Sequence, residues 1–103
     1  MESKDAEFQV VWAPRTFDQF KSFIRFIRED SPQNALKVQF SLLTIIYSLQ
    51  SNPERFSLDD YKRKNKGNFR YFEKYKMRVS FQISNKKVII VRCRHSKMEP
   101  RKY

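Results

Sequence analysis

Arg78, Arg92, Arg94 and His95, with Arg70, Glu73 and Tyr103 around them, are the residues whose types suit chemistry on a phosphate. Fork-shaped guanidinium groups hold phosphate oxygens through paired hydrogen bonds. Histidine titrates in the range that proton transfer requires, and Glu73 or Tyr103 can take that role once its pKa is displaced. Such a set can cut RNA without a metal. A base draws the proton from the 2′-hydroxyl, cations stabilise the crowded phosphorane, and an acid protonates the leaving oxygen. The same residues also suit RNA binding without cleavage, since basic strands carrying one histidine serve that purpose too.

Other chemistries are excluded by composition. One glycine cannot build a glycine-rich phosphate loop, and one histidine with one cysteine does not make a transition-metal site. The basic third holds no Asp/Glu pair at metal-ligand spacing, so no metal or cofactor is expected. Cys93 reads as a small core residue in a reducing compartment. The start, MESKDAE, is acidic and polar, unlike a signal peptide, and no stretch has the length of a membrane span. The expected location is the cytoplasm, with no membrane partner.

Charge separates the chain into two parts. Residues 1–61 hold 7 Lys+Arg and 9 Asp+Glu, a net of −2, whereas residues 62–103 hold 15 Lys+Arg and 2 Asp+Glu, a net of +13. A field this lopsided attracts a polyanion or an acidic protein. Lys62, Arg63, Lys64, Lys66, Arg92, Arg94 and Lys97 are the candidate RNA-binding residues.

The elements that must position these side chains follow from periodicity. MRVSFQI, Met77 to Ile83, alternates apolar and polar residues and predicts a half-buried strand. Ser84-Asn85-Lys86 supplies a turn, and KVIIV, Lys87 to Val91, predicts a central strand that runs into Arg92, Arg94 and His95. Phe8 to Trp12 predicts a first strand. Thr16 is the expected N-cap of a helix carrying Phe17, Phe20, Phe23, Ile24 and Ile27 on one side. Ser31-Pro32 opens a second helix, apolar on more than one side, that runs to about Gln50. Ser51-Asn52-Pro53 stops it. Glu54 to Asn68 is a connection anchored by Phe56 and Leu58, and Phe69 to Glu73 is a further strand. The order β-α-α-β-β-β over a single domain, residues 1–103, predicts an α+β fold with a helical hairpin on one face of a mostly antiparallel sheet. Charged side chains are expected to gather on the uncovered face. On a regular strand Arg92 and Arg94 share a face and His95 takes the other, unless the strand ends or bulges there.

This order of motifs resembles the RelE/ParE superfamily of bacterial type II toxin–antitoxin toxins. The resemblance runs from VVWAP at Val10, through Ala35 to Leu49 and Pro53, Phe69-Arg70 and Met77-Arg78-Val79-Ser80-Phe81, to VIIVRCRHSKMEPRKY at the end. It implies a toxin that inhibits translation as a ribosome-dependent mRNA endonuclease. It also implies a cognate acidic antitoxin, with the ribosome and mRNA as targets. Arg78 looks like the family's transition-state arginine and Arg70 like a basic residue of the preceding strand. His95 is similar to the histidine of YoeB-like members, and Tyr103 to the C-terminal tyrosine of RelE-like ones. The pattern departs where a second basic residue is expected, at Phe72, and where an arginine is expected, at Ser96 or Lys97. The alternatives that the resemblance implies are a ParE-like poison of DNA gyrase without nuclease activity and a catalytically inactive RNA-binding relative.

Overall fold

The computed structural model describes residues 7–97 and 102–103. The acidic start and residues 98–101 of the basic tail lie outside them. Strand β1 is Gln9–Trp12, helix α1 Thr16–Asp30 and helix α2 Pro32–Ser48. A 3₁₀ turn, Pro53–Arg55, precedes β2 (Ser57–Leu58), β3 (Phe69–Lys74), β4 (Met77–Ser84) and β5 (Lys87–His95). The sheet order is β1-β5-β4-β3-β2; β1 runs parallel to β5 and the other neighbours are antiparallel. The expected α+β architecture is present. Its addition is β2, two residues inside the connection, too short to leave a periodic signal.

The helix starts differ from expectation in one case. Ser31 caps α2 as predicted, its Oγ accepting from the Asn34 amide at 3.2 Å, with Pro32 in the first turn. Thr16 does not cap α1, because Arg15 holds that position in the left-handed conformation at φ 75°. Thr16 is instead the first helical residue, buried, its hydroxyl donating to the Ala13 and Ile90 carbonyls. It ties the start of α1 to β5 rather than ending a helix dipole.

Both helices pack on one face of the sheet. Phe20 and Ile24 of α1 and Ala35, Val38, Leu42 and Ile46 of α2 meet Phe72, Met77, Val79, Phe81, Val88, Ile90 and Cys93. Burying such side chains contributes about 1.5–3 kcal/mol each relative to exposure. Phe56 serves as the predicted anchor, its ring against Phe72 and Phe81. Leu58 does not; β2 is an edge strand and leaves it exposed.

A bulge in β5 decides which side chains reach which face. Ser80 pairs with Arg92 but Phe81 pairs with Ile90, so Val91 is an extra residue in β5. Such an insertion reverses the alternation beyond it. Val88 and Ile90 point into the core before it, and Cys93 does so after it. Arg92 and Arg94 are thereby registered with Ser80 and Arg78, on the uncovered face, while His95 is registered with Met77 on the helix side.

Candidate functional site

The uncovered face is built around a carboxylate that charge counting did not single out. Asp59, only 1% exposed, lies after β2, where its amide donates to the Phe69 carbonyl at 2.9 Å. Arg78 Nη2 donates to Asp59 Oδ1 and to Asp60 Oδ1, both at 2.9 Å. The Tyr61 amide donates to Asp59 Oδ1 at 3.0 Å, and the Tyr103 hydroxyl to Asp59 Oδ2 at 2.5 Å. Burial presses the Asp59 pKa upward, but these donors from Tyr103, Arg78, the Tyr61 amide and Ser80 outweigh it and hold it below the usual carboxylate range. The partners respond in kind. Burial and the Asp59 bond push the Tyr103 phenol up. Burial opposes the Arg78 charge, yet Asp59 and Asp60 hold its pKa above the ordinary arginine value.

Aromatic rings complete the enclosure. The Arg78 guanidinium lies 3.5 Å from the Tyr71 ring centroid and 4.1 Å from that of Tyr61. Its Nε is buried with no hydrogen-bond partner among the described residues. The Arg92 guanidinium stacks 4.3 Å from the Tyr103 ring, which meets Phe69 edge-on. Tyr103 is docked along the connection: its amide donates to the Tyr61 carbonyl at 2.9 Å and its carbonyl accepts from the Arg63 amide at 2.6 Å. Lys62 Nζ donates to the same carbonyl at 3.2 Å and lies 4.8 Å from the Phe69 ring centroid.

The basic loop is held by one asparagine. Asn65 Oδ1 accepts from the Gly67 and Phe69 amides, and Asn65 Nδ2 donates to the Asp59 and Phe69 carbonyls. Gly67, at φ 107°, supplies a backbone conformation that other residues rarely adopt. Arg63, Lys64 and Lys66 stand exposed beside it.

The predicted catalytic residues are only partly brought together. Arg78 and Tyr103 meet at Asp59, with Arg92 against Tyr103; Glu73 is opposite Arg78 in register, exposed on the same face. Arg70 is not part of this cluster. It alternates onto the helix side, with Phe72, and its guanidinium donates to the Gly67, Glu54 and Phe56 carbonyls. His95 is on the helix side too, 5.9 Å from the Phe23 ring, with Nδ1 accepting from the Lys97 amide. The sheet therefore separates His95 from Arg78. Lys97 is exposed beyond the end of β5. Asp59 and Asp60 had a readable signal: two adjacent acids directly bordering the basic run.

Chemically, the cluster holds Arg78 in place more than it presents it. Two carboxylates and two rings occupy a group that would have to meet a phosphate in RNA cleavage. No group of three or more His, Cys, Asp or Glu suited to a metal ion occurs among the described residues. None of their helices is long and apolar enough to cross a membrane.

Comparison with known proteins places this geometry in context. The sequence model described as the ParE toxin of the type II toxin–antitoxin system parDE matches residues 10–100. No curated protein matches the chain. Among solved structures, a chain of the chromosomal ParDE toxin–antitoxin system from P. aeruginosa superposes with a TM-score of 0.67 at 14% identity. The match covers 87% of this chain and 97% of that one. At that identity the likeness carries the fold.

Proposed function

The chain belongs to the ParE toxin family of type II toxin–antitoxin systems, and from that premise we propose that it arrests growth by poisoning DNA gyrase without cutting RNA. An acidic antitoxin protein is its proposed inhibitor. The observation that carries this reading is the state of Arg78, ion-paired to Asp59 and Asp60 with its side chain 11% exposed. Metal-free cleavage needs a cation free to meet the phosphorane and a proton-transfer group beside it. Here the arginine is already neutralised, His95 is across the sheet from it, and Tyr103, which is beside it, has its hydroxyl committed to Asp59 and its pKa pushed up by burial and that bond. The endonuclease reading would require these arrangements to be undone.

The basic loop has a place in this reading. Gyrase acts on DNA, and Arg63, Lys64 and Lys66 suit the phosphate backbone of a protein–DNA complex. A positive face also draws an acidic antitoxin at high rate.

The experiment measures both activities together. The purified chain is added to a gyrase supercoiling assay, and mRNA 5′ ends are mapped in cells after induction. Loss of supercoiling with trapped gyrase–DNA complexes and intact mRNA is the expected result. Cuts within translated codons, with supercoiling unaffected, would overturn the proposal in favour of the ribosome-dependent nuclease.

A further inference from the structure

We infer that Tyr103 occupies a slot on the uncovered face that binds an unpaired cytosine of a DNA strand, with the adjoining phosphate held by Lys62 and Arg63. The inference rests on the reading that this face meets DNA and adds which part of the strand it takes. The slot is defined by what fills it. The Arg92 guanidinium lies 4.3 Å from the Tyr103 ring centroid, the Lys62 ammonium 5.2 Å from it, and the Phe69 ring meets it edge-on at 6.1 Å. At the far edge of the ring the hydroxyl donates to Asp59 Oδ2. A stacked cation and an anionic acceptor at the rim suit one flat aromatic ring that carries a donor.

The main chain of the same residue occupies a second position. Its oxygen accepts from the Arg63 amide at 2.6 Å and from Lys62 Nζ at 3.2 Å. An amide and an ammonium converging on one oxygen are the donors that a phosphate takes. Tyr103 thus combines a ring with a donor at its tip and an oxygen acceptor at its base, which is the pattern of a nucleotide. When a nucleotide displaces it, the contacts of Asp59, Arg63 and Lys62 each have a direct replacement, so those groups are not left unpaired.

Asp59 selects the base. Its carboxylate is buried and held ionised by its donors, so it can only accept. Cytosine brings its N4 amino group to that position, a donor that carboxylates recognise. Thymine, of the same size, brings its O4 acceptor instead, and two acceptors facing each other repel. A purine has two rings where the slot holds one. The base must be unpaired, because within a duplex N4 is taken by guanine and stacked neighbours cover both faces of the ring. Lys64 and Lys66, exposed in the same loop, suit the flanking phosphates.

Short single-stranded oligomers test this, read as binding isotherms of the full chain at one salt concentration. Oligo(dC) should bind about tenfold or more tightly than oligo(dT) of the same length. Oligo(dC) carrying two methyl groups on each N4 keeps its charge but loses the donor, and should fall to the oligo(dT) level. Tyr103→Ala empties the slot and should bind oligo(dC) several-fold more tightly than the unmodified chain, with the preference over oligo(dT) kept. Equal affinity for oligo(dC) and oligo(dT) would show phosphate attraction alone and overturn the inference. So would dimethylated oligo(dC) that binds as well as oligo(dC), or a folded Tyr103→Ala variant that binds oligo(dC) more weakly. If Tyr103→Ala does not fold, the three oligomers on the unmodified chain decide. Supercoiling is a separate readout. Unaffected supercoiling overturns the gyrase reading while a cytosine preference still establishes the slot, and inhibited supercoiling without that preference overturns the slot alone.

Discussion

The Tyr103 hydroxyl donates to the Asp59 carboxylate across 44 positions of sequence, and the same carboxylate takes a hydrogen bond from Arg78. One buried acid therefore fastens the connection, the fourth strand and residue 103 at a single point.

Removing that acid should be costly. Asp59→Ala leaves the Arg78 guanidinium buried beside an empty position, and breaking a buried pair in this way costs about 3–5 kcal/mol. Tyr103→Phe loses one bond to a charged acceptor and should cost about 1–3 kcal/mol. Denaturant unfolding at unchanged m-value measures both. A loss below about 1 kcal/mol for Asp59→Ala would show that Arg78 finds Asp60 and solvent sufficient.

Stability should fall at both ends of the pH scale through this pair. Asp59 has a depressed folded pKa, so its contribution is present above the unfolded carboxylate value of about 3.9 and is lost as pH falls through the folded one. Tyr103 has a raised folded pKa, so its contribution is present below the unfolded phenol value of about 10 and is lost as pH rises beyond it. Thermal melts across pH should therefore lose the alkaline decline in Tyr103→Phe and flatten the acid decline in Asp59→Asn. An unchanged alkaline limb in Tyr103→Phe would assign it to the lysines.

The turn from β4 to β5 stores removable strain. Asn85 and Lys86 both have positive φ, 51° and 63°, as a two-residue hairpin of this hand requires. Asparagine tolerates that conformation, whereas lysine pays a steric cost. Lys86→Gly should stabilise the chain by about 1 kcal/mol, raising Tm by about 4–8 °C. The distant contact of Lys86 with the Phe8 ring, at 5.8 Å, is too weak to reverse the sign. A fall in Tm would show otherwise.

Nucleic-acid binding should depend on position as well as net charge. Reversing Lys62, Lys64 and Lys66 to Glu should weaken DNA or RNA binding more than reversing Lys21, Arg25 and Arg28, and should flatten its salt dependence. Lys64 and Lys66 alone form the cleaner variant, because Lys62 also holds the Tyr103 carbonyl. Equal effects from the two sets, read as binding isotherms at several salt concentrations, would remove the case for a directed face.

The strands, the helical hairpin and its capping Ser31 were legible because each rests on neighbours in sequence: alternation, three-four spacing, a hydroxyl ahead of a proline. Asp59 left only a local hint, two adjacent acids beside the basic run, because its importance comes from Tyr103, Arg78 and Ser80, all distant in the chain. Thr16 was misread for a related reason. A capping hydroxyl accepts from an amide of the first turn, whereas Thr16 lies inside the helix after Arg15 and donates to the Ala13 carbonyl and, 74 residues away, to that of Ile90. The candidate catalytic set suffered most. The opposition of His95 to Arg92 and Arg94 was legible, but which face each took depends on the extra residue Val91 ahead of them, and Arg70 follows Phe72 to the helix side by the plain alternation of β3.

Val91 sets the facing of everything after it by staying out of the ladder. Were it to pair regularly with β4, Arg92 and Arg94 would be driven beneath the helices and Cys93 would surface, with two charged groups in an oily layer that cannot solvate them. A gene edit removing that single codon would instead set Arg92 directly after Ile90 in even alternation and leave each later side chain on the face it already holds. The strand tolerates the loss of this residue better than its straightening.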